Sequence, residues 1–565
     1  MARLEQLIEQ IRKDRDVRQN LIEIRQNISD ESLRRQFMNQ VRGDYGLFLE
    51  LLEHEDPKVR RNAALILGMT RDENVLPALF EAWEAEETLF VREDYLKAAE
   101  SMDYRDYLPR LNERIHELED RMSGTSEDAG SDAEKDSEQR GTETKSRDAE
   151  KSGSGDAGDR HGSDAENYGS EDAGDKQTEQ KSSLWDNDKH LLAELSRLRH
   201  MTARYEKHRR HHFIKMNPAP EILLRTNVLH VGATAGQIRS GTVHAMRGGV
   251  HVKGGDLHEI LKVRTWNECL MPIPGARPVS GDEKMIASRL RDLKIGNYLS
   301  YLHEDNGQPF RYRIELKSPS VPREKRGEYI RRIASRLDVL EKGKLLNSES
   351  DYEVELRLIE RGDHSLIPML KLFTLPDTRF AYRKETTAQS TSAVLSALAV
   401  YLASPYIKDG AQVLDPFCGA GTLLIERCIF RKADPVYGVD RYAEAVEKAR
   451  INTENAREAD TGATSGIPPI HYINRDFFDF THDYPFDEII TSLPDPQEED
   501  GAHFAERFLR KASTILRDTA VLIILADNPA ALKEAAGRVE GYTLLEEHLL
   551  NERSGCSEII LGYNS

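Results

Sequence analysis

Between Ser123 and Ser183 the chain carries almost nothing that a folded core could use. The stretch is Ser, Gly, Asp, Glu and Lys with one aromatic, Tyr168, and its phrases recur: SEDAG begins at Ser126 and Ser170, SDAE at Ser131 and Ser163. So little apolar surface cannot offset the entropy lost on ordering the backbone. The expectation is a disordered acidic linker over residues 122–183 that splits the chain into separately packed parts. A chain of 565 residues is in any case too long for a single core.

The same stretch distorts the charge balance. It holds 17 acidic and 8 basic residues, so −9 of the formal net charge of −19 sits there. The rest is diluted over the remaining chain, and local basic patches stay possible. The four cysteines, Cys269, Cys418, Cys428 and Cys556, form no CxxC pair. That usage suits a reducing compartment without a disulfide framework or zinc ribbon. No stretch approaches eighteen apolar residues, and MARLEQLIEQIRKDRD has no apolar run of the leader type. A cytoplasmic protein without a membrane partner is expected.

Residues 1–121 read as helical, with apolar residues at spacings of three and four. Val59-Arg60 recurs 32 residues later as Val91-Arg92, and Leu76-Pro77 recurs as Leu108-Pro109. Helix pairs that cannot bury their apolar faces alone share a core by stacking. DPKVRRNAALILG (56–68) resembles a HEAT repeat: Asp56-Pro57 starts a helix, Ala63, Ala64 and Leu67 pack, and Gly68 ends it. A protein partner is the expected ligand of such a domain; a plain helical bundle is the alternative.

Residues 184–219 read as one helix, over 186–212, with a basic end, YEKHRRHHFIK. His208, His211 and His212 have no neighbouring Cys or carboxylate in the sequence to complete a metal site, so no metal is expected. A basic surface beside RNA and a merely solvated face both remain open. Residues 220–375 mix short alternating runs with helices, an α+β pattern. Strands are expected in EILLRTNVLHV, around HVKGG, in Phe310–Lys317 and in Asp351–Glu360; helices are expected in GDEKMIASRLRDL and REKRGEYIRRIASRLDVL. The last of these is basic. Lys325, Arg326, Arg331 and Arg332 stand out as candidates for a phosphate backbone, with Lys317, Arg323 and Arg336 beside them. A helix with a solvated basic face is the alternative.

From residue 376 the pattern is α/β. AQVLDPFCGAGTLLIERC ends an apolar run at Asp415 and then places Gly419 and Gly421 before a helix. Such glycines allow a sharp turn and close approach of a ligand to the main chain. PVYGVD ends in Asp440, 25 residues after Asp415, where an acid can bind both hydroxyls of a ribose. IHYIN is followed by Asp476-Phe477, and FDEIITS runs into Ser492-Leu493-Pro494-Asp495-Pro496. A nicotinamide site would want GxGxxG, and here the third glycine is replaced by Leu424. The series therefore argues against a nicotinamide site.

DPFCGAGTLLIE and the preceding TRFAYRKETTAQSTSAVLSALAVYLA resemble the RNA methyltransferases that carry a THUMP domain. The resemblance covers about residues 220–565. It implies a THUMP-like RNA-binding region over 220–375 and a Rossmann-like methyltransferase domain over 376–565. It further implies S-adenosylmethionine as cofactor, tRNA or rRNA as partner, and guanine N2 as target. Asp415, Phe417, Gly419 and Gly421 would hold the methionine part, Asp440 the ribose, and Asp476 with Phe477 the adenine. Ser492, Leu493, Pro494 and Asp495 would be catalytic. Here the sequence departs from the family, which has Asn or Asp, any residue, Pro and then an aromatic that stacks on the base. Ser492 stands for the first residue and Asp495 for the aromatic; Ala393 stands where Pro is usual in the junction segment. The alternative is a weak or inactive methyltransferase fold used as an RNA-binding or scaffold module.

Overall fold

The computed structural model describes residues 2–41, 45–135, 190–191, 193–341, 343–388, 390–459, 466–496 and 500–565. Helices α1 (Ala2–Arg12), α2 (Val17–Asn27), α3 (Glu31–Val41), α4 (Gly46–Glu50), α5 (Pro57–Thr70), α6 (Leu76–Ala85), α7 (Leu89–Ala99) and α8 (Leu108–Lys135) share one core. The repeat is visible in burial: Val59 and Val91 are both inside, as are Leu79 and Leu111. Asp56 caps α5 by accepting from the Lys58 amide at 2.8 Å, and Pro57 occupies the first helical position, where it forfeits no bond.

Three expectations need correcting in this half. Gly68 does not end α5, which continues to Thr70 and closes on a left-handed Arg71. Its role is packing: a Cβ at Gly68 would stand 2.5 Å from Ala98 Cα, so α5 and α7 touch there along their backbones. Helix α8 continues to Lys135, past the expected start of the linker; the remainder of that stretch lies outside the described residues. The helix expected over 186–212 is helical over 193–205 (α9) and belongs to the N-terminal core through Leu195, Leu198 and Met201. Glu194 fixes it, accepting from Trp83 Nε1 at 3.2 Å, Arg92 Nε at 2.8 Å and Arg114 Nε at 3.2 Å. A buried carboxylate is tolerable only when paired in this way.

The second layer is an eight-stranded sheet. Its strands are β1 (Ile222–Thr226), β2 (Thr242–Met246), β3 (Gly249–Lys253), β4 (Trp266–Pro272), β5 (Phe310–Lys317), β6 (Leu345–Asn347), β7 (Val354–Glu360) and β8 (Leu366–Leu372). They lie in the order β2-β3-β1-β4-β8-β7-β5-β6, with β5 parallel to β6 and β7 and the other pairs antiparallel. Helices α10 (Val231–Ala235), α11 (Leu257–Leu261), α12 (Glu283–Asp292), α13 (Ile295–Leu302) and α14 (Arg323–Leu340) accompany it. Tyr312 on β5 donates to the Ala334 carbonyl at 3.2 Å and pins α14 to the sheet. Charges cross the strands in a ladder: Arg313 to Glu355, Glu355 to Arg357, and Arg357 to Glu268. Burial alone would raise the Glu268 carboxyl, but Arg357 and Lys371 hold it down to about 2.

The third layer is a seven-stranded sheet of β9 (Ala411–Asp415), β10 (Ala433–Asp440), β11 (Ile470–Asn474), β12 (Phe486–Ser492), β13 (Leu516–Ala526), β14 (Tyr542–Leu549) and β15 (Ser557–Asn564). Its order is β11-β10-β9-β12-β13-β15-β14, parallel except for the two antiparallel pairs that β15 makes. Helices α15 (Ala393–Leu402), α16 (Thr422–Phe430), α17 (Ala443–Ala459), α18 (Gly501–Ser513) and α19 (Pro529–Arg538) complete the doubly wound fold. Ala393 is the first residue of α15 behind the Ser392 cap, a position at which Pro and Ala are both accommodated. The strand order reverses between β9 and β12, and the crevice beyond their carboxyl ends is the expected ligand site of such a sheet.

The layers are joined by buried polar ties. Arg199 on α9 donates to the Asp338 carbonyl of α14 and to Glu119 of α8. Arg264 makes a bidentate pair, 2.7 Å on each arm, with Glu426 of α16. Among the described residues no helix is long and apolar enough to cross a membrane.

Candidate active site

At the switch point, the residues picked out by the glycine turn converge. Asp415 ends β9 fully buried, accepting from the Phe417 amide at 3.0 Å and the Thr491 hydroxyl at 2.7 Å. Thr491 lies on β12, so this bond joins the glycine turn to the strand that leads to Ser492. Sequence reasoning passed over Thr491; only the pairing of β9 with β12 reveals it. Burial pushes the Asp415 carboxyl up to about 7, offset in part by these two donors.

The turn itself is held by Asp440 at the end of β10. One carboxylate oxygen accepts from the Gly419 amide at 2.9 Å and the other from the Tyr442 amide at 2.9 Å. Each oxygen keeps a further lone pair, so two vicinal hydroxyls can still be bound. Gly419 has φ +50, and a Cβ there would meet nothing within 4 Å, which leaves open space against the main chain. Gly421 caps α16 at φ +77, and a Cβ there would lie 2.5 Å from the Tyr472 hydroxyl. The first glycine leaves room for a ligand; the second closes the packing behind it. This donor set fits a nucleoside with an attached amino acid.

At the expected adenine end, the Phe477 ring is 1% exposed and packs against Phe417 and Phe508 in the core, which leaves its main chain rather than its ring for a ligand. The neighbouring Phe478 is half-buried, with the Arg507 guanidinium 3.5 Å over its ring. Phe477 and Phe478 are successive residues of a short 3-10 turn, whose side chains fan out around its axis, and sequence alone did not say which side was core. Asp476 caps the short turn by accepting from the Phe478 amide at 2.9 Å. Phe417 itself leans on Phe477, Phe504 and Phe508.

The fourth segment is looser. Ser492 is the last residue of β12, and the Leu493 amide donates to the Leu525 carbonyl of β13 at 2.8 Å. Ser492, Leu493 and Pro494 are half-buried and Asp495 is exposed. The strand ends bring Asp415, Asp440 and Ser492 around one crevice.

Residues 381–556 match the family described as RMKL-like, methyltransferase domain. They form a methyltransferase domain. Residues 46–124 match HEAT repeats. Among solved structures, TrmN from Thermus thermophilus is 19% identical, covers 61% of this chain and 99% of its own, and gives a TM-score of 0.47. The SMU.472 protein complexed with SAH is 13% identical over 61% of this chain and 98% of its own, with a TM-score of 0.44. A "predicted N6-adenine-specific DNA methylase" from Listeria monocytogenes is 13% identical over 61% and 96%, with a TM-score of 0.46. No curated protein matches the chain.

The candidate RNA contacts on α14 divide into two pairs. Arg326 is turned inward, donating to the Val321 and Ser318 carbonyls, and Arg332 is paired with Glu328 and Glu283. Lys325 and Arg331 are exposed, without an ion-pair partner among the described residues. In the basic segment that follows α9, His208 and His211 are tied to the sheet, whereas His212 is exposed. His211 meets Glu353 through both its amide (2.8 Å) and Nδ1 (2.7 Å), and stacks on Phe310 at 3.8 Å; His208 Nδ1 lies 3.2 Å from Asp351. These carboxylates stand some 140 residues away in sequence, so no local pattern announced them.

Proposed function

We propose that the chain is an S-adenosylmethionine-dependent methyltransferase of structured RNA, with an exocyclic amine, guanine N2 in tRNA or rRNA, as acceptor. The observation that carries the reading is the Asp440 carboxylate, which orders the glycine turn through Gly419 and still has lone pairs for ribose hydroxyls. Asp415 and the open backbone at Gly419 would take the amino-acid end of the cofactor, and Phe478 the edge of its adenine. When bound, S-adenosylmethionine supplies a methyl group on a positively charged sulfur. The chain's part is to aim the acceptor. The Ser492 hydroxyl and the Leu493 carbonyl can accept hydrogen bonds from an amine, which keeps the nitrogen lone pair directed at the methyl. The eight-stranded sheet, read as THUMP-like, would hold the RNA along Lys325 and Arg331.

The exposed Asp495 favours the second reading, a methyltransferase fold that serves as an RNA-binding or scaffold module, because no ring stands there to stack on a base. The test is transfer of labelled methyl from S-adenosylmethionine to purified tRNA and rRNA, followed by mass spectrometry of the nucleosides. Methylguanosine in either RNA supports the first reading. Cofactor binding without transfer to either RNA leaves the second.

A further inference from the structure

The helical domain presents a basic groove for which the active site has no use. Helices α2, α5 and α7 lie side by side, and two adjoining clefts run over them. The larger, about 440 Å³, is lined by Arg25, Arg34, Arg61, Arg71 and Lys97 around a floor of Leu65, Gly68 and Ala98. The smaller, about 170 Å³, shares Arg25 and Arg61 and adds Arg18, Lys58 and the half-buried Phe90. Among the described residues no carboxylate lines either cleft. Arg61 is neutralised by Asp94 at 2.6 Å from beneath. In a chain of net charge −19, so many cations drawn from four segments onto one face run against the average.

We infer that this groove binds the sugar-phosphate backbone of single-stranded RNA, making the helical domain a second RNA-binding site. The inference rests on the RNA reading above and extends it. Three features favour RNA over an acidic polypeptide. Arginines predominate, and their planar guanidinium forks match phosphate oxygens two at a time. The cations continue from one cleft into the next through Arg25 and Arg61, as a tracked backbone requires. Phe90 offers a ring beside them, and a positive groove with an aromatic platform is the combination that holds unpaired bases. The floor is kept low by Gly68, whose missing Cβ lets α5 and α7 close up beneath the arginines. The domain is also fixed to the RNA-facing layer, since Arg199 bridges α8 to the end of α14.

The experiment uses the full-length protein and a fluorescent oligouridylate of about twenty nucleotides, read by anisotropy across a salt series. Arg25→Glu, Arg34→Glu and Lys97→Glu together should weaken binding by roughly tenfold or more and lower the salt slope by about two. Calorimetric affinity for S-adenosylmethionine should not move. Arg25→Lys with Arg34→Lys should retain the slope, which separates lost charge from a damaged fold; Phe90→Ala should weaken binding without changing it. Lys325→Glu with Arg331→Glu serves as reference. If that pair loses RNA and the groove triple does not, the groove inference is wrong and the RNA reading stands. If the wild type binds no RNA, both fall. Binding of polyglutamate as tight as that of oligouridylate at equal salt would assign the groove to acidic polypeptide and overturn the inference.

Discussion

The two ends of the active-site crevice are built to different standards. On the β9–β10 side the turn is held by several polar contacts: Asp440 takes two amides, Asp415 takes an amide and a hydroxyl, and the Cys418 amide donates to Val439 at 3.0 Å. On the β12 side the order stops at the Leu493 amide, and Asp495 reaches solvent. A cofactor is the same molecule at every turnover, so its cradle gains from rigidity. An acceptor must enter and leave, and its contacts are completed only when it is present. On the proposed reading, the difference separates cofactor binding, at a tight local turn, from acceptor choice, at an open segment.

The largest effect is expected at the rigid end. Gly421→Val adds bulk at φ +77 toward Tyr472, and strain plus overpacking should cost more than about 3 kcal/mol. Thermal unfolding and calorimetry should show a less stable domain that no longer binds cofactor; an unchanged melting curve would mean the turn is not over-determined. Asp440→Ala should follow, at about 2 to 3 kcal/mol, or roughly thirtyfold to a hundred-and-fiftyfold in Kd for S-adenosylmethionine. Unaltered calorimetric affinity would remove Asp440 from the ribose role.

Asp415 supplies a pH test. Its folded carboxyl titrates near 7, above the unfolded value of about 4. The unfolded chain therefore loses this proton first. Stability of the cofactor-free domain is retained below about 4 and lost as pH rises toward 7, by at most about 1.4 kcal/mol per unit. A cationic ligand draws the same carboxyl down, so affinity for S-adenosylmethionine should rise between about pH 6 and 7. Asp415→Asn should flatten both curves; a wild-type affinity already flat over that range contradicts the assignment. The smallest change is expected at the loose end. Ser492→Asn with Asp495→Phe should leave cofactor affinity alone and raise methyl transfer to tRNA or rRNA by up to about tenfold, or 1.4 kcal/mol in the barrier. Loss of a native activity without such a gain would show that the segment is tuned to another acceptor.

Much of this was legible in residue order. The helical front half, the 32-residue repeat, the strand at Phe310–Lys317 and the helix at Arg323–Leu340 follow from periodicity, which is local. The glycine turn was legible because φ +50 and φ +77 are strained for other residues. Gly68 was misread for the same reason: helix-ending glycines and packing glycines look alike until the neighbouring helix is known. Phe477 and Phe478 were adjacent aromatics whose sides only the packed core distinguishes.

By itself, then, the sequence determined the classes of the three packed layers and the glycine turn at the end of β9, since turns, caps and apolar spacing act within a few residues of one another. Tertiary structure alone decided what depends on distant partners. It placed α9 back in the N-terminal core through Glu194, buried His211 on Glu353, tied Asp415 to Thr491, and gathered Arg25, Arg34, Arg71 and Lys97 around one groove. Each of these is a charge or hydrogen-bond relation, whose strength depends on separation in space and is unmarked by separation along the chain.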